Sequence, residues 1–154
     1  MRLEYFELID GIEAYSLEDG RILARGQVPA ASPVFEGHFP GHPIVPGVML
    51  IEFMAQATGW LLIARMQFSR MAFLASVKEA KMRNFVRPGA SLLVEARVEH
   101  EGSGFGVAKC KVTTADAAPV ADAIITLRFM DFPSPNFETM MRARSREIGL
   151  EALV

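Results

Sequence analysis

The chain has 154 residues, 51% hydrophobic and 22% charged, with a formal net charge of −2. That suffices for one domain with a single core, is too apolar for a disordered chain, and gives no global drive toward nucleic acid. The one cysteine, Cys110, excludes an internal disulfide, and the first residues lack a signal peptide's apolar stretch, so a cytoplasmic protein is expected.

In chain order, Asp19-Gly20 is a hairpin signal between Glu13–Leu17 and Arg21–Val28. A loop rich in Gly and Pro follows, Gly37-His38-Phe39-Pro40-Gly41-His42-Pro43, and Pro46-Gly47 opens a long apolar helix expected to run to about Gln67. Residues Val48 to Met66 approach the length of a membrane span. Glu52 and Gln56 lie inside that stretch, and a carboxylate deep in a span costs roughly 2.5–3.5 kcal/mol. No membrane span is expected. A helix this apolar is instead expected to be buried by protein on all sides.

Beyond the helix the period changes from 3.6 to 2. Phe73–Phe85 reads as a strand broken at Arg87-Pro88-Gly89. Val94, Ala96 and Val98 alternate with Glu95, Arg97 and Glu99; Ala108, Cys110 and Val112 alternate with Lys109, Lys111 and Thr113. In the last strand Ala123, Ile125, Leu127 and Phe129 alternate with polar neighbours. Such alternation marks antiparallel strands with one covered face, and the long helix is the only large apolar object available to cover it. The expectation is an N-terminal hairpin, the helix and a meander of four strands. This is an α+β hot-dog fold over residues 1–133, with the sheet wrapped around the central helix. Residues 134–154 read as an appended amphipathic helix of the same domain. Phe137, Met140, Met141, Arg144 and Ile148 recur at helical spacing, Asn136 is a candidate cap, and Gly149 a candidate stop.

The chemistry concentrates between Phe35 and Ala57. His38 lies in a loop whose backbone Pro40, Gly41 and Pro43 restrict. Gly47 stands at a helix start, where open N–H groups and the dipole favour developing negative charge. Glu52, Gln56 and Gly59 fall at i, i+4 and i+7, so the few polar or small residues of the helix share one stripe. Burial disfavours a charged carboxyl, and moving a glutamate from about 4.3 to about 7 corresponds to roughly 3.7 kcal/mol. A neutral glutamic acid donates a proton while a histidine near its ordinary pKa accepts one. The pair suits removal of water from a 3-hydroxyacyl thioester. His38 takes the C2 proton, Glu52 assists departure of the C3 hydroxyl, and the Gly47 N–H polarises the thioester carbonyl. Phe39 and Pro40 support the histidine. Gln56 either orients Glu52 or braces the loop, and Gly47 also serves simply as a turn into the helix.

The stretch Gly37-His38-Phe39-Pro40 through Pro46-Gly47-Val48, Ile51-Glu52 and Met54-Ala55-Gln56 resembles the FabZ-type dehydratases of type II fatty-acid synthesis, matching every fixed position of their motif. Weaker similarity spans roughly residues 5 to 130, including Phe73-Leu74-Ala75, Lys81-Met82-Arg83 and Arg87-Pro88-Gly89. The resemblance implies a hot-dog fold and a (3R)-hydroxyacyl substrate on acyl carrier protein. It implies no cofactor or metal, and a dimer in which histidine from one subunit meets glutamate from the other, commonly within a hexamer of three dimers. It departs where Ala90 replaces the usual Asp, where His42 replaces the commoner Arg or Asp, and beyond about Pro133.

Phe53, Met54, Trp60 and Phe73 are candidates for an acyl tunnel, though each alone also reads as core. Lys78, Lys81, Arg83 and Arg87 form a basic run, either a solvated face or a dock for an acidic carrier protein. His38 and His42 are four apart, but the prolines prevent a helix that would pair them on a metal. Two other functions fit the fold: a thioesterase, which lacks the His-Phe-Pro loop, and a non-catalytic acyl-binding partner subunit, for which intact His38 and Glu52 are superfluous.

Overall fold

The computed structural model of the chain describes residues 1–150. A 3₁₀ turn at Leu3–Tyr5 leads into β1 (Gly11–Ser16) and β2 (Arg21–Gln27), a short helix α1 (Pro33–Gly37), and the long helix α2 (Gly47–Arg65). Then come β3 (Met71–Met82), β4 (Ser91–Glu101), β5 (Phe105–Thr114), β6 (Pro119–Met130) and the C-terminal helix α3 (Pro135–Glu147). The strands form one antiparallel sheet in the order β1-β2-β4-β5-β6-β3. With α2 packed in its concave face, this is the hot-dog fold.

The alternations expected in β4, β5 and β6 are the ones observed. Along one rung Ile22 faces Ala96, Ala96 faces Cys110, and Cys110 faces Ala123. All four are buried, and three of the four are small, which lets a helix rich in Phe, Met and Leu lie close to the sheet. Gly106 makes the same accommodation, since a Cβ there would stand 2.7 Å from Leu62 Cδ1. Gly26 does so at the other end, beside Leu8 O and Phe53.

The meander of four strands is corrected. β3 does not pair with β4, its successor in sequence; it crosses to the far edge and pairs with β6, Phe73 opposite Arg128 and Val77 opposite Ile125. Two bulges interrupt that ladder, between Leu74 and Ser76 and between Lys78 and Lys81, and among the described residues no strand pairs with the outer edge of β3.

Helix α2 also departs from expectation. Its inner face is enclosed by the sheet, with Phe53, Met54, Leu61 and Leu62 at 1% exposure or less. Its outer face near the start is not: Val48 is 71% exposed, and Ile51, Glu52 and Gln56 are half-buried. This is the one described helix long and apolar enough to cross a membrane by length and composition, and 67% of its apolar window lies buried in the fold. The expectation that protein buries α2 on all sides is therefore not met within the chain.

The N-cap of helix α3 is Ser134, not Asn136. Ser134 is extended, its Oγ accepts from the Phe137 N–H at 3.2 Å, and Pro135 occupies the first helical position, where a missing N–H costs nothing. The helix ends in a Schellman turn: Leu150 N–H donates to Ser145 O at 2.8 Å, Gly149 N–H donates to Arg146 O at 3.1 Å, and Gly149 is left-handed at φ +89°. Ile148 and Leu150 enter the core, and the Ile12 N–H donates to Ile148 O at 2.6 Å, tying this end to β1. Of the C-terminal extension expected at 134–154, residues 151–154 lie outside the described residues.

Candidate active site

His38 caps the C-terminus of α1, whose own start is fixed by Ser32 Oγ accepting from Val34 N–H and by Pro33. Phe35 anchors α1 in the core. The loop then folds on itself: Phe39 and His42 exchange backbone hydrogen bonds of 3.2 and 2.9 Å around Gly41 at φ +75°, and Ile44 N–H donates to His38 O at 3.0 Å. The peptide joining His38 to Phe39 is cis, and the two rings stack with centroids 4.1 Å apart. Pro40 lies in the same small turn and is exposed.

The imidazole Nδ1 lies 3.2 Å from Ile44 O. A carbonyl oxygen only accepts, so Nδ1 carries the proton in the neutral ring and Nε2 keeps its lone pair. The loop thus leaves Nε2 of His38 as the ring's acceptor nitrogen. Sequence reasoning had no route to this tautomer, because the orienting group is a backbone carbonyl six residues away.

Pro46 offers no side-chain cap to α2. The Gly47 N–H is therefore one of the open donors at a helix start. A Cβ on Gly47 would stand 3.4 Å from Met82 Cγ, ordinary contact, so sterics alone do not demand glycine.

Glu52 lies one turn further along, held by Gln56. The Gln56 Nε2 group donates to Glu52 Oε1 at 2.9 Å and to Phe6 O at 2.6 Å, while its Oε1 accepts from Leu8 N–H at 3.2 Å. Of the two readings left open for Gln56, the contact with Glu52 is present, whereas its other bonds clamp the N-terminal segment and not the histidine loop.

Glu52 and Gln56 line a groove of about 380 Å³ that continues along α2 past Ala55, Gly59, Trp60 and Ile63. Its opposite walls come from β3 and from the segment Phe6–Ile9, and Met141 and Arg144 of α3 also line it. Trp60 and Phe73, two of the tunnel candidates, line this groove. Phe53 and Met54 do not; they turn inward to the sheet at 1% and 0% exposure and are core residues of the single chain. Helix geometry accounts for Met54, which projects opposite the stripe 52, 55, 56, 59, 60, 63 that the groove follows, while Phe53 borders that stripe and turns in against Gly26 of β2.

His38 is not among the groove residues, and no hydrogen bond joins it to Glu52 among the described residues. Phe39, Val48, Met82 and Phe85 are exposed apolar side chains, the last 82% exposed. Of the basic run, Lys78, Lys81 and Arg87 are exposed and make no ion pair within the described residues, whereas Arg83 pairs with Asp122. That contact holds the Asp122 carboxyl below its ordinary pKa, chiefly through the hydrogen bond. Cys110 lies away from the groove beneath α2, in contact with Thr58 Oγ1 at 3.2 Å; burial pushes its thiol up to about 11 against the opposing pull of that hydrogen bond.

Residues 2–123 match a family model described as the FabA-like domain. Among similar proteins, 3-hydroxyacyl-(acyl-carrier-protein) dehydratase FabZ of Latilactobacillus sakei is 40% identical over 121 residues, covering 77% of this chain and 84% of the relative. Its namesake in Fusobacterium nucleatum is 36% identical, covering 82% and 88%. That in Klebsiella pneumoniae is 35% identical, covering 92% and 85%. Among solved structures, a hypothetical protein of Staphylococcus aureus superposes with a TM-score of 0.64 at 17% identity, covering 84% of this chain and 98% of that one. A thioesterase of Haemophilus influenzae superposes at 0.61 with 15% identity, covering 80% of each. At such identities these two superpositions speak for the fold alone.

Proposed function

The chain belongs to the FabA-like family, and from that membership we propose that it is a dehydratase of (3R)-hydroxyacyl chains carried as thioesters on acyl carrier protein, releasing water and the trans-2-enoyl thioester. The observation that carries this is a histidine with Nε2 open as a base, together with a glutamate held by Gln56 at an apolar groove.

His38 Nε2 removes the C2 proton. The electrons of that C–H bond form the C2–C3 double bond as the C3–O bond breaks, and Glu52 gives its proton to the departing hydroxyl, which leaves as water. Negative charge that develops on the thioester carbonyl oxygen during C–H cleavage is met by the Gly47 N–H and the positive end of the α2 dipole. Afterwards the proton on His38 returns to Glu52 through solvent, so the cycle balances without an external acid or base. The acyl chain lies in the groove beside Trp60 and Phe73.

The protein acts as a homodimer at least, with His38 of one subunit meeting Glu52 of the other, and further assembly to a hexamer is part of the same reading. Three features support a shared site: the uncovered outer face of α2, the open edge of β3, and the absence of His38 from the groove that holds Glu52. Open edges and exposed apolar patches are what subunit association covers. The acidic carrier protein docks on Lys78, Lys81 and Arg87, with the paired Arg83 contributing less. The protein works in the cytoplasm.

The reading is tested with 3-hydroxyacyl thioesters of the carrier protein, following enoyl product and released thiol together. Enoyl product with no thiol is expected. Thiol release without enoyl product would make the protein a thioesterase and leave His38 and Glu52 without their roles.

A further inference from the structure

We propose that α3 forms the end wall of the acyl groove, with Met141 as the residue that meets the end of the chain and so sets its length. This rests on the dehydratase reading and names a determinant of its specificity.

The groove follows one stripe of α2 from Glu52 to Ile63, eleven residues and about 17 Å at the rise of an α-helix. Glu52 acts at C3 of the substrate, so the remainder of the chain runs toward the C-terminal end of α2. A saturated chain of roughly 1.5 Å C–C bonds advances about 1.25 Å per bond in zigzag. The stripe therefore accommodates about thirteen bonds beyond C3, a long-chain substrate.

Helix α3 is fixed at that far end. Arg142 donates to Gln67 O and Phe68 O, both at 3.4 Å, just after α2 ends, and its guanidinium lies 4.9 Å from the centre of the Phe68 ring. Arg144 donates to Ile9 O at 3.1 Å and pairs with Glu147 at 3.0 Å, so its charge is already engaged by protein. Next to Arg142, the half-buried Met141 lines the groove. A helix held by side-chain bonds on both flanks and by a Schellman turn into the core is a firm stop, while the unbranched Met141 side chain sets the fine position of the end. Helix α3 lies beyond residues 2–123, the stretch that matches the family model.

The test compares kcat/KM from short to long 3-hydroxyacyl carrier thioesters in the full chain and in Met141→Trp and Met141→Ala. Tryptophan is expected to shift the preferred length to shorter chains, lowering the long-to-short ratio by about fourfold per methylene excluded. Alanine shifts it the other way. The same length profile in both variants, or a uniform loss at every length, overturns the role of Met141 while leaving the dehydratase intact. No enoyl product at any length from the unaltered protein overturns both.

Discussion

Gln56→Leu removes an amide that makes three hydrogen bonds, to Glu52, to Phe6 O and from Leu8 N–H. A typical bond contributes about 0.5–1.5 kcal/mol net, and a buried donor left without a partner costs about 1–3 kcal/mol. Leu8 is 1% exposed, so its N–H has no ready replacement in water. The Phe6 carbonyl lies at the exposed end of the segment and is rehydrated more easily. The expected loss of stability is about 2–4 kcal/mol, read from urea unfolding as a lower midpoint at an unchanged slope. Glu52 also loses its only side-chain donor among the described residues, and a carboxyl misplaced by about 1 Å costs roughly 100-fold in rate. The loss should fall on kcat, because the walls that bind the acyl chain are unaltered. A destabilised variant with native kcat would reduce Gln56 to a brace of the N-terminal segment. Native stability would show that the three bonds contribute little.

Two other outcomes follow from buried and exposed charge. The Cys110 thiol is pushed up from 9.0 to about 11, so the protonated form is favoured in the fold. Stability from this source is intact below about pH 9 and declines by about 2–3 kcal/mol as the pH rises through 11. Cys110→Ala should flatten that decline in unfolding measured between those pH values, and an identical decline in the variant would exclude the thiol as its cause. Charge reversal at Lys81 and Arg87 should raise KM for carrier-borne substrate about tenfold and that for a small thioester far less. Equal effects on both would place the patch outside the docking surface.

The fold was legible where physics is local. Alternation in β4, β5 and β6 marked the covered face, and the only long apolar segment had to cover it. The place of β3 was not legible, because its pairing with β6 joins residues some fifty positions apart and its burial pattern, mostly exposed, lacks alternation. In α2 nearly every residue is apolar, so hydrophobicity could not separate the sheet face from the groove face. That is why Phe53 and Met54 read as tunnel residues. The better signal was the stripe Glu52, Gln56 and Gly59, which extends to Ala55, Trp60 and Ile63. Leu74 and the segment Phe6–Ile9 were missed as walls because tertiary packing alone brings them there. Met141 was visible as part of an amphipathic helix, but no feature of that helix says which surface it covers.

The central claim, a dehydration site built from His38 and Glu52 of different subunits, is tested most directly by mixing His38→Ala with Glu52→Gln after subunit exchange. Each variant alone should retain almost no enoyl formation. Random pairing makes about half the dimers mixed, each with one of two sites intact, so the mixture should recover about a quarter of the native rate. No recovery with exchange verified would contradict a shared site, and substantial turnover in either variant alone would contradict the assignment of the pair.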